Sequence, residues 1–233
     1  MPGNFRKYVS EDGSITYYNS EIDEHYHSTS GAESEAWQKH VNPADLQSYA
    51  ARQSTLHILD FAFGLGYNSA AALSYIMSRQ LPFTSVQITA LENDPDIIRE
   101  IKSLTTGFAE YPFFQRMATA ANGYENRIQP FVYLENNIRF NLYLEDALAA
   151  VQRLKNNSID VVFFDPFSSQ KVPKFWTLDV FIQLYRKLRK GGCLTTYSCA
   201  KHFRNKLDKA GFQWKNVQPG FERRGPSTIA YKT

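Results

Sequence analysis

A chain of 233 residues with 43% hydrophobic and 15% aromatic residues can bury one sizeable core, which argues against a disordered chain and for one domain rather than two. No run approaches the roughly 18 uncharged apolar residues a membrane span requires, and Met1-Pro2-Gly3-Asn4 leads into charged residues rather than an apolar signal stretch, so a cytoplasmic location without membrane contact is expected. The net charge of +3 hides an asymmetry: residues 1–150 hold 10 Lys/Arg against 18 Asp/Glu, and residues 151–233 hold 16 against 5, a basic half that fits a polyanion, although a merely solvated face would read the same.

In chain order, residues 5–8 and 15–18 flank Asp12-Gly13, which predicts an N-terminal β-hairpin within an extension over residues 1–50. From Leu56 onward short apolar runs alternate with helical patterns, as in a parallel sheet with crossover helices. Leu56–Phe63 and Val86–Glu92 read as the first two strands, separated by a helix with Ala70, Leu73, Ile76 and Met77 on one face. The aromatic stretch Thr105–Asn137 stands outside the repeat and reads as an insertion over about residues 105–137. Ile138–Tyr143 alternates like a third strand, and Ile159–Phe164 is a β-branched and aromatic run expected at the sheet centre, buried on both faces. Trp176–Arg189 has helical spacing, stopped by Gly191-Gly192 before a strand Cys193–Ser198. A helix near His202–Ala210, a strand Phe212–Val217, a Pro219-Gly220 turn and a strand Thr228–Tyr231 close the chain. Cys193 and Cys199 flank the buried strand without a zinc or redox spacing and read as reduced core thiols.

A mostly parallel sheet that ends in an antiparallel hairpin suits, by analogy of fold, a Rossmann-like class I methyltransferase of the α/β class with seven strands, occupying residues 51–233. Asp60-Phe61-Ala62-Phe63-Gly64-Leu65-Gly66 falls where the first strand turns into its helix, where glycines let backbone N–H groups approach a ligand at a positive helix end. A dinucleotide fingerprint would need glycine at position 69, which is Ser69, so a nicotinamide enzyme is disfavoured. Glu92 ends the second strand, where a carboxylate can accept hydrogen bonds from both ribose hydroxyls of an adenosine. Asp146 follows the third strand and is a candidate for the adenine amino group. Strand-end and N-cap roles explain these acids singly.

Asp165-Pro166-Phe167 follows the central strand, where open α/β sheets put their reacting groups, although Asp-Pro also starts turns. His25-Tyr26-His27 offers two histidines facing one way on a strand without a third ligand, so no metal is expected. Tyr111, Phe113, Phe114, Tyr124, Phe131 and Tyr133 could stack bases, or simply pack an insertion.

Together these motifs resemble the MnmC-like tRNA 5-methylaminomethyl-2-thiouridine methyltransferases, in the stand-alone form without an FAD oxidase domain. The resemblance rests on Ser20–Glu35 with His25-Tyr26-His27 and Gly31-Ala32-Glu33, on Phe63-Gly64-Leu65-Gly66-Tyr67-Asn68, and on Phe164-Asp165-Pro166-Phe167 with Lys171, Pro173 and Trp176. It continues through Gly191–Tyr197, Ala210-Gly211-Phe212 and Gly220-Phe221-Glu222-Arg223-Arg224. It implies methyl transfer from S-adenosylmethionine to the exocyclic amine of 5-aminomethyl-2-thiouridine at the tRNA wobble position. Asp60, Phe63, Gly64, Gly66, Asn68, Glu92, Asp146 and Asp165 would hold the cofactor, and Asp165, Pro166 and Phe167 would form the catalytic segment. Lys171, Trp176, Lys201, Arg223 and Arg224 would meet tRNA, and the separate enzymes that make the precursor amine are candidate partners. Pro166 stands where bifunctional relatives have glycine, and Ser168-Ser169 replaces an Ala-Pro pair. Rival readings are a methyltransferase for another RNA, a protein or a small amine, and a non-catalytic RNA-binding module on the same fold.

Overall fold

The computed structural model describes residues 5–125, 128–218 and 225–233. The chain opens with a three-stranded antiparallel sheet, β1 (Phe5–Val9), β2 (Ile15–Asn19) and β3 (Glu24–His25), in the order β1-β2-β3. The Asp12-Gly13 turn forms as expected, with Asp12 Oδ1 accepting from the Ser14 backbone N–H at 3.0 Å. Three short helices, α1 (Ala32–Glu35), α2 (Asn42–Ala44) and α3 (Leu46–Ala50), follow, with a π-helical turn Ala36–Val41 between the first two.

The main sheet alternates strand and helix: β4 (Thr55–Phe61), α4 (Tyr67–Ser78), β5 (Ser85–Glu92), α5 (Pro95–Glu100), α6 (Tyr111–Ala120), β6 (Phe131–Glu135), β7 (Ile138–Leu144), α7 (Ala147–Arg153), β8 (Ile159–Phe164), α8 (Leu178–Lys187), β9 (Leu188–Thr196), α9 (Lys201–Ala210), β10 (Gln213–Val217) and β11 (Ser227–Tyr231). Its order is β10-β11-β9-β8-β4-β5-β7-β6. Neighbours from β9 to β7 run parallel; β6 and the β10–β11 hairpin pair antiparallel at the two edges. This is the α/β, mostly parallel class I methyltransferase architecture, with one strand more than the seven expected. The chain runs outward from β4 through β5 and β7, then returns to β8 on the other side of β4, so a topological switch point lies between β4 and β8.

All six residues of β8 are buried, as the β-branched and aromatic run required, and Asp160 is buried among them. Alternate side chains enter two cores: Val161 and Phe163 on one face with α4, α6 and the N-terminal segment, Val162 and Phe164 on the other with α7, α8 and α9. Each fully buried Phe here stabilises the fold by about 1.5–3 kcal/mol relative to an exposed one. The N-terminal sheet is tied on by Tyr67 Oη, which donates to the Ile15 carbonyl at 2.7 Å, and by Tyr17 Oη, which donates to Glu100 Oε2 at 2.7 Å.

Several expectations are corrected. The extra strand β6 comes from the aromatic stretch, where the packing alternative holds for Phe113 and Phe114 of α6, buried against Phe140. Met77 leaves the apolar face of α4 and is exposed. The helix expected over Trp176–Arg189 is a 3-10 turn Pro173–Trp176 followed by α8, capped by Thr177 Oγ1. Gly191-Gly192 does not end that helix: it lies inside β9, in a register irregularity where a Cβ on Gly192 would stand 2.9 Å from the Asp160 carbonyl oxygen. Cys193 is a core thiol, whereas Cys199 is exposed. The Pro219-Gly220 turn lies outside the described residues.

Candidate active site

The loop after β4 is pinned between its neighbours: the Phe63 N–H donates to the Leu91 carbonyl of β5 at 2.9 Å, and the Tyr111 hydroxyl donates to the Leu65 carbonyl at 2.8 Å. Gly66 sits left-handed at φ 78° ahead of α4, and a Cβ there would run into the Phe63 ring at 2.6 Å. That ring points down to Phe140 at 5.3 Å. Phe63 and Gly66 therefore shape the loop from beneath and do not line the cavity above it. Gly64 (φ 54°) and Ala62 (φ 64°) do line it, Ala62 standing where the methyltransferase pattern has its first glycine.

Across this cavity Glu92 is tied to the loop. Its Oε2 accepts from the Gly64 N–H at 2.8 Å and its Oε1 from the Asn93 and Asp94 N–H groups at 2.9 Å. Burial pushes the Glu92 carboxyl up to about 7, the backbone donors only partly opposing it. Asp60 lies a layer lower, fully buried, where Oδ2 accepts from Ser69 Oγ at 2.6 Å and Oδ1 has no hydrogen-bond partner among the described residues. Burial raises this carboxyl well above its ordinary range. Ser69, whose identity argued against a dinucleotide fingerprint, is thus the hydroxyl that holds Asp60. Asp146 does not line the cavity. It caps α7, accepting from the Leu148 N–H at 2.8 Å, and pairs with Lys174 at the rim.

Asp165 follows β8 at the switch point, and its Oδ2 accepts from Asn68 Nδ2 of α4 at 2.9 Å. Two residues singled out separately are therefore one unit. The loop behind them is held by its carbonyls: Tyr197 Oη donates to Pro166 at 3.0 Å and Trp176 Nε1 to Phe167 at 2.8 Å. Trp176, expected to meet substrate, is buried among Phe164, Tyr197 and Phe203 and positions the loop instead. Lys171 forms an exposed pair with Asp23 at 2.5 Å. Lys201 starts α9 on the surface, and Arg223 and Arg224 lie outside the described residues.

Sequence reasoning missed the part of the site supplied by the N-terminal segment. Glu24 accepts from Ser168 N at 3.0 Å and from Ser168 Oγ at 2.9 Å, and the Tyr26 ring packs edge-on against Phe167 at 5.0 Å. The strand β3 stops at His25, so the two histidines are not held on one strand. His25 packs between Tyr8 and Tyr18, while His27 is buried against Tyr67. His40, from the π-helical turn, has no exposed surface and brings Nε2 to 3.5 Å from Asp165 Oδ1. Burial opposes ionisation of Asp165, but the His40 and His27 imidazoles and the Asn68 amide outweigh it and hold the carboxyl below its ordinary range. Burial depresses His27 in turn.

Two cavities result. One is walled by Ala62, Gly64, Glu92, Asp94, Ala147 and Phe175, the other by Glu24, His25, Ser28, Glu35, Pro166 and Tyr197. Tyr26, His27, Asp165 and Phe167 line both, so the carboxylate of Asp165 stands where they meet. Among the described residues no His, Cys, Asp or Glu cluster has a metal-binding arrangement, and no helix is long and apolar enough to cross a membrane.

Comparison with known proteins agrees with this arrangement. The profile of the S-adenosyl-L-methionine-dependent methyltransferase family matches residues 111–233. An uncharacterized protein of Methanocaldococcus jannaschii is 29% identical over 226 residues, 96% of this chain and 58% of that protein. The tRNA 5-methylaminomethyl-2-thiouridine biosynthesis bifunctional protein MnmC of Leptospira interrogans is 27% identical over 179 residues, 74% of this chain. The aligned part is 26% of MnmC, so the chain corresponds to only a portion of these curated relatives. The crystal structure of MnmC2 from Aquifex aeolicus superposes with a TM-score of 0.80 at 26% identity, covering 98% of this chain and 70% of that one. Spermidine synthase from Thermotoga maritima, at TM-score 0.53 and 9% identity over 94% of this chain and 68% of that one, shares the fold alone. The chain belongs to the family of S-adenosyl-L-methionine-dependent methyltransferases, with S-adenosylmethionine as its cofactor, and within that family it is MnmC-like.

Proposed function

We propose that this protein methylates the exocyclic amine of 5-aminomethyl-2-thiouridine at the tRNA wobble position, giving the 5-methylaminomethyl form. The observation that carries the reading is the meeting of two cavities at Asp165, one opening on the glycine loop and Glu92, the other on carboxylates and aromatic rings. The relatives named for 5-methylaminomethyl-2-thiouridine biosynthesis and the basic C-terminal half support tRNA as the carrier of the amine. Lys171, Lys201, Arg223 and Arg224 are the proposed tRNA contacts, and the proposed compartment is the cytoplasm.

The first cavity fits the cofactor. Glu92 offers acceptor oxygens where a ribose would lie, Gly64 keeps the loop free of a side chain, and Leu91, Val172 and Phe175 give an apolar wall. Asp60 and Asn68 would hold the polar end from below, with Asp146 at the rim. When bound, S-adenosylmethionine supplies a methyl group on a positively charged sulfur.

In the second cavity Glu24, Glu35 and Asp165 favour a cation, and Tyr26, Phe167 and Tyr197 offer rings to a pyrimidine. An alkylamine with a Lys-like pKa near ~10.4 is about one part in a thousand neutral at pH 7, so selecting the reactive form costs roughly 4–5 kcal/mol. Asp165 is a weak base and cannot provide that by proton affinity. Its part is to accept a hydrogen bond from the nitrogen and aim it along the line between the cavities, while the proton passes to water.

Incubation with methyl-labelled S-adenosylmethionine and tRNA carrying the 5-aminomethyl group should give labelled 5-methylaminomethyl nucleoside, and tRNA lacking the aminomethyl group should give none. Labelling of free amines or protein, with tRNA untouched, would replace the acceptor and leave the cofactor site standing.

A further inference from the structure

Asp165 is held from behind as well as from the cavity. His40 reaches it from the π-helical turn Ala36–Val41, a wide turn of the kind that recurs at functional sites. The His40 ring lies edge-on to Phe163 at 5.8 Å, with Nδ1 3.1 Å from Thr195 Oγ1 of β9 and Nε2 3.5 Å from Asp165 Oδ1. One tautomer suits both neighbours: the Thr195 hydroxyl donates to Nδ1, and the proton on Nε2 faces the carboxylate. Nε2 has no other partner among the described residues. Against Phe163 an apolar side chain would pack as well without the cost of burying an imidazole, so the ring is explained by what its nitrogens face.

We propose that His40 is a positioning residue for the methyl transfer, holding the Asp165 carboxylate in place and negative from the buried side, with its cavity side left for the acceptor nitrogen. This rests on the amine-methylation reading above. The acceptor ammonium first gives one proton to water. Its nitrogen lone pair then forms the new N–C bond as the C–S bond breaks and that electron pair stays on sulfur. Asp165 keeps its charge throughout.

The groups facing Asp165 come from five elements: His40 from the π-helical turn, His27 from the segment after β3, Asn68 from α4, Asp60 from β4 and Tyr197 from the segment after β9. Glu35 acts on His27, and Glu92 on Asp60. Of these, His40 opposes the burial of Asp165 through the proton on Nε2, which faces Oδ1 at 3.5 Å.

Three variants separate positioning from packing. Asparagine can keep the reach to Thr195 but not to Asp165; glutamine can present an amide N–H at the Nε2 position; leucine can do neither. For His40→Leu and His40→Asn the limb of the kcat profile that reports Asp165 should move up by about one to three pH units, so that their deficit at about pH 4 is up to about tenfold larger than at about pH 8 and the difference closes by about pH 6. The KM for S-adenosylmethionine should stay near wild type, and His40→Gln should restore the profile. If His40→Leu does not fold, His40→Asn carries the test. Parallel profiles, or rescue by Asn rather than Gln, would overturn the proposal. If the wild-type protein fails to methylate the amine, the functional reading falls. The 13C titration of the Asp165 carboxyl in cofactor-bound protein then decides for His40: an upward shift in the Leu and Asn variants supports the role, and an unmoved titration overturns it.

Discussion

Strand β8 has an aspartate near each end, one buried and one half-buried, and the two are bonded differently. Asp160, at the start, accepts from the His57 N–H at 2.8 Å and receives Arg189 Nη1 at 2.9 and 3.0 Å on its two oxygens. Asp165, beyond the other end, has one good hydrogen bond, from Asn68, and a 3.5 Å approach to His40. Around it His27 Nδ1, His40 Nε2, Asn68 Oδ1 and Asp60 Oδ1 are buried without hydrogen-bond partners among the described residues. A saturated carboxylate ties three strands together. Unsatisfied polar atoms collected at the carboxyl end of the same strand mark a place arranged for another molecule.

The contrast can be broken from either side. Asp160→Ala leaves the Arg189 guanidinium and the His57 N–H without their acceptor, and should cost about 3 kcal/mol in denaturant unfolding. Cofactor affinity of the folded fraction should be near wild type. Loss of cofactor binding without loss of stability would erase the distinction between the two ends.

At the chemical end a buried acid should weigh against the cofactor-free fold. Glu92, raised from its ordinary 4.5 to about 7, is protonated in both states at low pH. As pH rises through this window the unfolded chain ionises first, so native stability falls, and above about pH 7 the cost is constant. The stability of Glu92→Gln relative to wild type should therefore grow by on the order of 3 kcal/mol from about pH 4.5 to about pH 7. A pH-independent difference, in cofactor-free protein, would contradict the burial argument.

The smallest effect concerns the loop. Ala62 sits at φ 64°, a left-handed conformation that disfavours a Cβ, beside two glycines in the same region. Ala62→Gly should be neutral to stabilising, by up to about 1 kcal/mol once the greater chain entropy of glycine is counted. Destabilisation by a similar amount would mean that the methyl group packs usefully against the cavity wall.

Much of this was legible from local pattern. Ile159–Phe164 is bounded to the residue, because a β-branched and aromatic run between polar segments reads as a strand at the centre of a parallel sheet even with Asp160 inside it. The Asp12-Gly13 hairpin is likewise carried by turn chemistry, and the closing strands pair antiparallel as expected. What escaped depends on contacts across the chain. The edge strand β6 has exposed Val132 and Leu134 inside an aromatic stretch, which blurs its period of two. Trp176 looks like a ligand contact until its indole N–H is seen to hold the Phe167 carbonyl. His40, in Gln38-Lys39-His40-Val41, belongs to no motif. Only the fold of a π-helical turn against β8 and β9, which buries His40 beside Ala36 and Val41, gives it meaning.

The account stands most directly on Asp165→Asn, measured side by side with wild type for S-adenosylmethionine affinity and for methyl transfer to aminomethyl-bearing tRNA. The expected result is cofactor binding within about tenfold of wild type and transfer reduced about 10²–10⁴-fold. Transfer at the wild-type rate in a variant lacking the Asp165 charge would contradict the claim that the two cavities meet at the reacting nitrogen's anchor.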